Sequence, residues 1–159
     1  MQATKPVDVS FVHVETSNRV RWLTLNQPDR RNPLSLLMLE ALADAFAEAA
    51  EDPEVRAVVL SARGAVFSAG HDLKEMKRHE NESLETQQER IRGILNVCSK
   101  LMLSIVHSPK AVIACVQGTA TAAGCQLVAA CDLAIAANTA KFCTPGVNLG
   151  AFCTTPLIN

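Results

Sequence analysis

The alternation of hydrophobic and polar positions predicts that the chain opens with two strands and a helix. Residues 10–15 and 19–25 are β-type runs separated by the polar residues 16–18, a pattern typical of a hairpin. Apolar side chains then recur at spacings of three and four after Ser35, so an amphipathic helix should begin there and end before Pro53. The order strand, strand, helix follows.

Two valine-rich runs, residues 55–62 and 111–116, have the composition of buried parallel strands. Between them, residues 74–90 are rich in charge, which indicates a solvated surface, and the apolar spacing that follows predicts a long helix ending before Pro109. The remaining elements expected are short strands at residues 132–136 and 141–143 and a break at residues 144–146. We therefore expect one α/β domain over residues 1–159.

Two strand-to-helix junctions are candidates for ligand binding. The first, residues 67–73, contains a glycine for a tight turn and then Asp72, a good N-cap for a following helix. The second, residues 118–127, is built from small residues that let a ligand approach the backbone. Unpaired N–H groups at helix starts favour an acceptor or an anion. The alternative is a plain connection, of which any α/β protein has several.

Composition narrows the class of protein. The net charge is −1 and aromatic residues are few, so no nucleic-acid partner is expected, and no apolar run is as long as a membrane span. Residues 1–8 lack the features of a targeting segment, so a cytoplasmic location is the default expectation. The six cysteines form no C-x-x-C pair and lie among apolar residues, which indicates reduced core cysteines rather than disulfides or a metal site.

Four motifs in order resemble the crotonase, or enoyl-CoA hydratase/isomerase, superfamily over nearly the whole chain. They lie at residues 26–32, 67–76, 118–127 and 131–136. The resemblance implies a spiral of repeated strand-strand-helix turns and an acyl-CoA ligand, with coenzyme A as part of the substrate and no separate cofactor. It also implies that a C-terminal helical part, which builds homotrimers or hexamers in a full-length parent chain, is missing. An import segment on such a parent would make the mitochondrion the alternative location.

The resemblance also implies roles for particular residues. The backbone N–H groups of His71 and Ala123 would form an oxyanion hole, and Ala69 would offer backbone contact to the adenine of coenzyme A. Residues implied to shape the coenzyme A site are Ala69, Gly70, His71, Asp72, Leu73, Gly124 and Arg31. Arg31 is a candidate phosphate contact, although an exposed structural arginine is the interpretation that we favour. Trp22 is assigned to the core, His107 to capping the long helix, and Asp132 to structural support of its turn.

The chain departs from the family where the hydratases carry two catalytic glutamates. Gln126 and Gly146 occupy those places, and neither can exchange a proton near neutral pH, so paired-carboxylate hydration is not supported. Thr154 and Thr155 follow where other members place an acid. The side chain of His71 could act as a base, or it could point away while its amide serves the hole. Ala123 replaces a usual glycine; it would be strained at positive φ and would cost nothing at negative φ.

The sequence thus predicts a hydratase/isomerase-like protein of fatty acyl-CoA metabolism that holds a thioester with two amides but lacks the usual proton carriers. One alternative is a non-catalytic acyl-CoA-binding or assembly subunit, for which the missing carboxylates are the sequence feature. The other is a non-functional fragment.

Overall fold

The fold was described from a computed structural model in which residues 10–149 are placed. The strands are β1 (Val12–Ser17), β2 (Val20–Leu25), β3 (Ala57–Ala62), β4 (Val66–Ser68), β5 (Ala111–Val116), β6 (Thr119–Thr121), β7 (Leu133–Ala136) and β8 (Phe142–Cys143). The helices are α1 (Leu36–Glu51), α2 (Leu73–Met76), α3 (Leu84–Val106) and α4 (Ala123–Ala129), with 3-10 helices at Pro28–Arg30 and Pro145–Leu149.

These strands form two sheets, and the chain adds strands to the two sheets in turn. The first has the order β1-β2-β3-β5-β7, antiparallel only between β1 and β2, and the second has the parallel order β4-β6-β8. From β3 onward, each passage of the chain adds one strand to the first sheet and then one to the second. Helices connect the passages, as parallel pairing requires. The predicted spiral of strand-strand-helix turns is confirmed.

The first helix shows how the local sequence sets the fold. Ser35 caps α1 by accepting a hydrogen bond from the N–H of Met38 at 3.3 Å. Buried residues then follow at helical spacing, and α1 packs against α3 and against β1 and β2. The helix ends at Glu51, just before Pro53, so the predicted start and end are both confirmed.

The strands that lead directly into the two junctions are not the two apolar runs that the sequence marks as buried strands. The runs at 55–62 and 111–116 contain β3 and β5 of the first sheet, but the junctions follow β4 and β6 of the second. These strands have three residues each, too few to show a period. The predicted break at 144–146 overlaps a 3-10 helix, and α3 begins within the charged stretch.

The assignment of Trp22 to the core was wrong. Trp22 is 39% exposed, whereas Leu23 and Leu25 on the same strand are fully buried. Side chains alternate between the two faces of a strand, so burying the two leucines directs Trp22 outward. A large apolar side chain alone did not identify the buried face.

Candidate functional site

The backbones of the two junctions lie in contact at Gly70. A Cβ atom built on Gly70 would lie 2.9 Å from the carbonyl oxygen of Thr121 and 3.2 Å from the backbone nitrogen of Ala123. Gly70 also has a φ of +80°, a conformation that glycine adopts without steric cost. Glycine is therefore required here twice, for its dihedral angle and for the approach of the second junction.

A second close approach joins Gly124 to the strand before the first junction. A Cβ on Gly124 would lie 2.7 Å from the carbonyl oxygen of Ser68. The Ser68 hydroxyl donates to the carbonyl of Asn32 at 2.9 Å and accepts from the N–H of Gly70 at 3.2 Å. Ser68 thus fixes the first junction at the point where α4 packs on it.

The N–H groups of His71 and Ala123, the two predicted donors, are left unpaired in the described part of the chain. His71 forms a parallel bridge with Leu34, in which the N–H of Leu34 donates to Gly70 at 2.8 Å. In such a bridge the N–H of His71 points away from Leu34. Ala123 is the first residue of α4, so its N–H has no partner within that helix. Neither amide therefore has a partner within the described part of the chain.

Backbone strain in the second junction falls on Ala122, not on Ala123. Ala122 has φ of 51° and ψ of −122°, whereas Ala123 is absent from the described non-glycine residues with positive φ. The N–H of Ala122 donates to the carbonyl of Cys143 on β8 at 2.9 Å, which helps to hold this conformation. The alanine at 123 therefore causes no φ strain in its own amide.

Asp72 links the first junction to the segment before α1. One carboxylate oxygen accepts from the N–H of Lys74 at 3.0 Å, which confirms the predicted N-cap, and the other forms an ion pair with Arg30. Arg31, the arginine named from the resemblance, is exposed and offers its carbonyl to the N–H of Ala69 at 3.0 Å. The charged group next to the junction is thus Arg30, which sequence reasoning missed. Leu73 is 70% exposed.

A cavity of about 720 Å³ lies beside the first junction, between α1, α2 and α3. Its lining combines basic, acidic and apolar side chains: Arg30, Leu36, Glu40, Asp72, Lys74, Glu75, His79, Arg90, Gly93, Ile94 and Val97. Glu75 is fixed there because it accepts a hydrogen bond from the N–H of Leu36 at 2.8 Å. This volume is within the range of small-molecule sites.

Arg90 connects α3 to the rim of this cavity. Its guanidinium donates to the carbonyl oxygens of Glu75 and Lys77 and to both carboxylate oxygens of Glu82, at 2.9 and 2.8 Å for the latter two. The hydrogen bonds from Arg90 lower the pKa of Glu82 to about 2. Neither Glu75 nor Arg90 was singled out from the sequence, where both belong to the charge-rich stretch interpreted as solvated.

The imidazole of His71 is largely enclosed. Its Nδ1 atom is buried and has no hydrogen-bond partner in the described part of the chain. Burial lowers the pKa of His71, while the Leu34 backbone and the carboxylate of Glu75 act in the opposite direction. The ring is therefore neutral at neutral pH and able to accept a proton.

The structure also places Gln126 and Gly146, which occupy the positions of the two family glutamates. Gln126 is half-buried on α4, and Gly146 lies in the 3-10 helix Pro145–Leu149. Thr154 and Thr155 lie outside the described residues.

The structural roles predicted for His107 and Asp132 are confirmed. The ring of His107 forms a hydrogen bond with the carbonyl of Leu103 at 2.9 Å, and Asp132 accepts one from the N–H of Val112 at 2.8 Å.

The described cysteines are free thiols. Burial raises the pKa of Cys98 to about 11 and that of Cys131 to about 12, which agrees with core thiols, but Cys143 is exposed, contrary to expectation. Among residues 10–149, no three His, Cys, Asp or Glu side chains are grouped as they would be to hold a metal ion. In the same range, no helix is long and apolar enough to cross a membrane.

Known proteins resemble this chain in sequence and in structure. The enoyl-CoA hydratase/isomerase family matches residues 15–157. A zebrafish (Danio rerio) protein, "Enoyl-CoA hydratase domain-containing protein 3, mitochondrial", is 46% identical over 149 residues, which cover 94% of this chain and 50% of the relative. The chain spans about half the length of such relatives.

Two solved structures extend the comparison. An enoyl-CoA hydratase/isomerase family protein from Silicibacter pomeroyi has a TM-score of 0.82 and 45% identity, over 91% of this chain and 60% of that one. Human enoyl-CoA hydratase domain-containing protein 3 has a TM-score of 0.83 and 42% identity, over 92% and 55%. With the family match covering most of the sequence, this chain belongs to the enoyl-CoA hydratase/isomerase, or crotonase, family.

Proposed function

We propose that this chain binds an acyl-CoA thioester and holds its carbonyl oxygen between the backbone amides of His71 and Ala123. The observation that carries the proposal is the meeting of the two junctions, with the backbone nitrogen of Ala123 3.2 Å from the position of a Cβ on Gly70. Two N–H donors directed at one point would suit a single oxygen that gains negative charge. Removing one such donor typically lowers a rate about 10²–10³-fold.

The coenzyme A part of the ligand would extend along the first junction. The N–H of Ala69 is already engaged with Arg31, so its carbonyl is the group it would offer to the adenine. Gly70, Leu73 and Gly124 would shape this side of the pocket. The adjoining cavity, with Arg30 and Lys74 in its lining, is suited to the phosphates. Arg30 replaces Arg31 as the phosphate contact we favour.

The chemistry proposed is of the enoyl-CoA hydratase/isomerase kind, in fatty acyl-CoA metabolism, but without the glutamate pair. With Gln126 and Gly146 in those places, ordinary hydratase activity should be weak or nil. We infer a cytoplasmic location. The mitochondrion is the alternative, and the name of the zebrafish relative favours it. We further propose a homotrimer or hexamer for the full-length parent protein.

A non-catalytic acyl-CoA-binding or assembly subunit is the second candidate. One observation favours it, apart from the missing carboxylates. The side chains of Leu133 and Ile135 are 62% and 66% exposed on β7, which is the last strand of the first sheet. Apolar side chains along a sheet edge are a typical interaction surface. The double variant Gln126→Glu, Gly146→Glu separates the candidates, since hydration gained by it would show a working hole that lacks only proton carriers.

Calorimetric titration with a short enoyl-CoA tests the proposal, with free coenzyme A for comparison. Ala123→Pro removes one donor at the first position of α4, and because a proline requires extended backbone in the residue before it, the variant would also move Ala122 from its ψ of −122°. Loss of one hydrogen bond should weaken thioester binding about three- to tenfold and leave coenzyme A binding unchanged. Leu84→Pro is the control for a proline at a helix start without backbone change, because Leu84 is the first residue of α3 and Ser83 before it is already extended. Unchanged thioester affinity in Ala123→Pro would refute the role of that amide.

A further inference from the structure

The chain between α2 and α3, residues 77–83, has no helix or strand of its own, and one side chain of α3 holds it in place. The guanidinium of Arg90 donates to both carboxylate oxygens of Glu82, which fixes the relative orientation of the two groups. It also donates to the carbonyl oxygens of Lys77 and Glu75, so four of its five N–H donors are used. Arg90 therefore sets the position of residues 77–83 relative to α3.

The same segment is organised internally around Glu82, whose side chain is only 8% exposed. Its carboxylate also accepts from the N–H of His79 at 2.8 Å, and its carbonyl accepts from Nε of Arg78 at 2.8 Å. Just before the segment, the side-chain amide of Gln87 on α3 donates to the carbonyl of Met76 at 3.0 Å. The order of the segment thus depends on Glu82 and on its ion pair with α3.

This segment and α2 form one wall of the cavity of about 720 Å³. Lys74, Glu75 and His79 line the cavity from this side, and Arg90 lines it from α3. The carboxylate of Glu75 accepts from the N–H of Leu36 at the start of α1, while its carbonyl accepts from Arg90. These hydrogen bonds join α1, α2 and α3, the three helices around the cavity.

We propose that Arg90 and Glu82 are positioning residues, whose ion pair holds the wall that carries Lys74 in the shape that receives the phosphates of coenzyme A. This inference rests on the proposed function, in which the cavity receives those phosphates. Among the described residues, Glu82 is not part of the cavity lining, so it acts only through Arg90 and the segment. Because Arg90 spends four donors on the protein, its main effect on a ligand is also through the position of the wall.

The expected gain comes from order that exists before the ligand arrives. Ordering a loop during binding costs conformational entropy, and a wall that is already fixed avoids that cost. Without the ion pair, residues 77–83 would sample other arrangements, and only a fraction of the molecules would hold Lys74 in the binding geometry. The apparent affinity falls in proportion to that fraction, so a fraction of about a tenth weakens binding about tenfold.

Two probes test this: free coenzyme A, and S-butyrylpantetheine, which keeps the thioester but has no phosphate. Calorimetry measures the first affinity and NMR titration the second. Arg90→Gln and Glu82→Ala should each weaken coenzyme A binding about tenfold and leave the affinity for S-butyrylpantetheine unchanged, because the amides of His71 and Ala123 are not part of the wall. Amide hydrogen exchange of residues 77–83 should become faster in both variants.

Arg92→Gln is the matched control, since it also removes one positive charge from α3. Arg92 is exposed and makes no hydrogen bond or ion pair within the part of the chain that the structure describes. This variant should keep the wild-type affinity for both probes and the wild-type exchange of residues 77–83. A loss of coenzyme A affinity equal to that of Arg90→Gln would mean that net charge matters rather than the position of the wall.

The outcomes separate this inference from the proposed function. Faster exchange of residues 77–83 with unchanged coenzyme A affinity would refute the positioning role, and so would an equal loss of affinity for both probes, which indicates general damage. A wild-type protein that binds S-butyrylpantetheine but not coenzyme A would refute the inference and leave the paired amides standing. Binding of neither probe would remove both proposals. If Arg90→Gln fails to fold, Glu82→Ala decides by the same criteria.

Discussion

The two junctions share one backbone feature but build it from different residues. In each, a residue at positive φ comes directly before the proposed donor: Gly70 at 80° precedes His71, and Ala122 at 51° precedes Ala123. The first junction is capped by the side chain of Asp72, whereas α4 has no side-chain cap. Glycine meets the requirement without strain in the first junction, while alanine meets it at a cost in the second.

This difference shows that the second junction depends on its surroundings. The N–H of Ala122 is held by the carbonyl of Cys143, and the thiol of Cys125 bonds the same carbonyl at 3.3 Å. The first junction also bonds residues 30–34, but in addition the side chains of Ser68 and Asp72 hold it from within its own segment. Substitutions in the two junctions should therefore affect stability and ligand binding by different amounts.

Gly70→Ala should have the largest effect. The new Cβ would lie 2.9 Å from the carbonyl of Thr121, at a φ that alanine tolerates poorly. Strain of about 1–2 kcal/mol and overpacking of about 1–3 kcal/mol should lower the free energy of unfolding together. Urea denaturation measures the loss, and thioester affinity should fall with it. Wild-type stability in this variant would contradict the contact between the junctions.

Gly124→Ala should come next, because its Cβ would meet the carbonyl of Ser68 at 2.7 Å without a change in the sign of φ. The expected cost is about 1–3 kcal/mol in the free energy of unfolding. Gly93→Ala on α3 is the matched control, since nothing lies within 4 Å of its Cβ position. That control should stabilise the protein by about 0.5–1 kcal/mol, and equal effects at both glycines would refute the close approach.

Asp72→Ala tests the side-chain cap of the first junction. Loss of the bond to Lys74 should cost about 0.5–2 kcal/mol, and Arg30 would lose its partner. Asp72→Asn retains the cap without the charge and should recover most of the stability. If thermal melting shows both variants equal to the wild type, the junction does not depend on this side chain.

Ala122→Gly should have the smallest effect, and with the opposite sign. Relief of about 1–3 kcal/mol of backbone strain exceeds the roughly 0.5–1 kcal/mol that glycine costs in conformational entropy. A gain of about 1 kcal/mol in the free energy of unfolding is expected by urea denaturation. A loss of stability would mean that Ala122 is not strained in the folded protein.

The sequence predicted the parts of the fold that have a repeating pattern. The hairpin of β1 and β2, the cap at Ser35 and the end of α3 before Pro109 follow from rules that depend only on residues near one another in the sequence. The strands β4 and β6 were missed because three residues show no period. The spiral itself came from the resemblance, since no local rule pairs strands that lie far apart in sequence.

Sequence reasoning located the two segments of the candidate site but not the arrangement of their residues in space. Sequence reasoning left open whether Ala123 is strained, and the structure puts the positive φ one residue earlier, at Ala122, because dihedral angles depend on how the junctions pack. It named Arg31 as a possible phosphate contact and did not consider Arg30, since the orientation of adjacent residues depends on the 3-10 helix at Pro28–Arg30. Glu75 and Arg90 were not recognised, because they belong to a charged stretch and only tertiary packing shows which of its side chains line the cavity.

The vibrational frequency of the bound thioester carbonyl tests the paired amides most directly. Infrared difference spectra of butyryl-CoA with and without a ¹³C-labelled carbonyl isolate that one bond in the complex. Hydrogen bonds from the amides of His71 and Ala123 should shift the stretch below its frequency in water, and Ala123→Pro should reverse part of the shift. A bound carbonyl that absorbs at its frequency in water, with no change in Ala123→Pro, would show that the two junctions meet without forming an oxyanion hole.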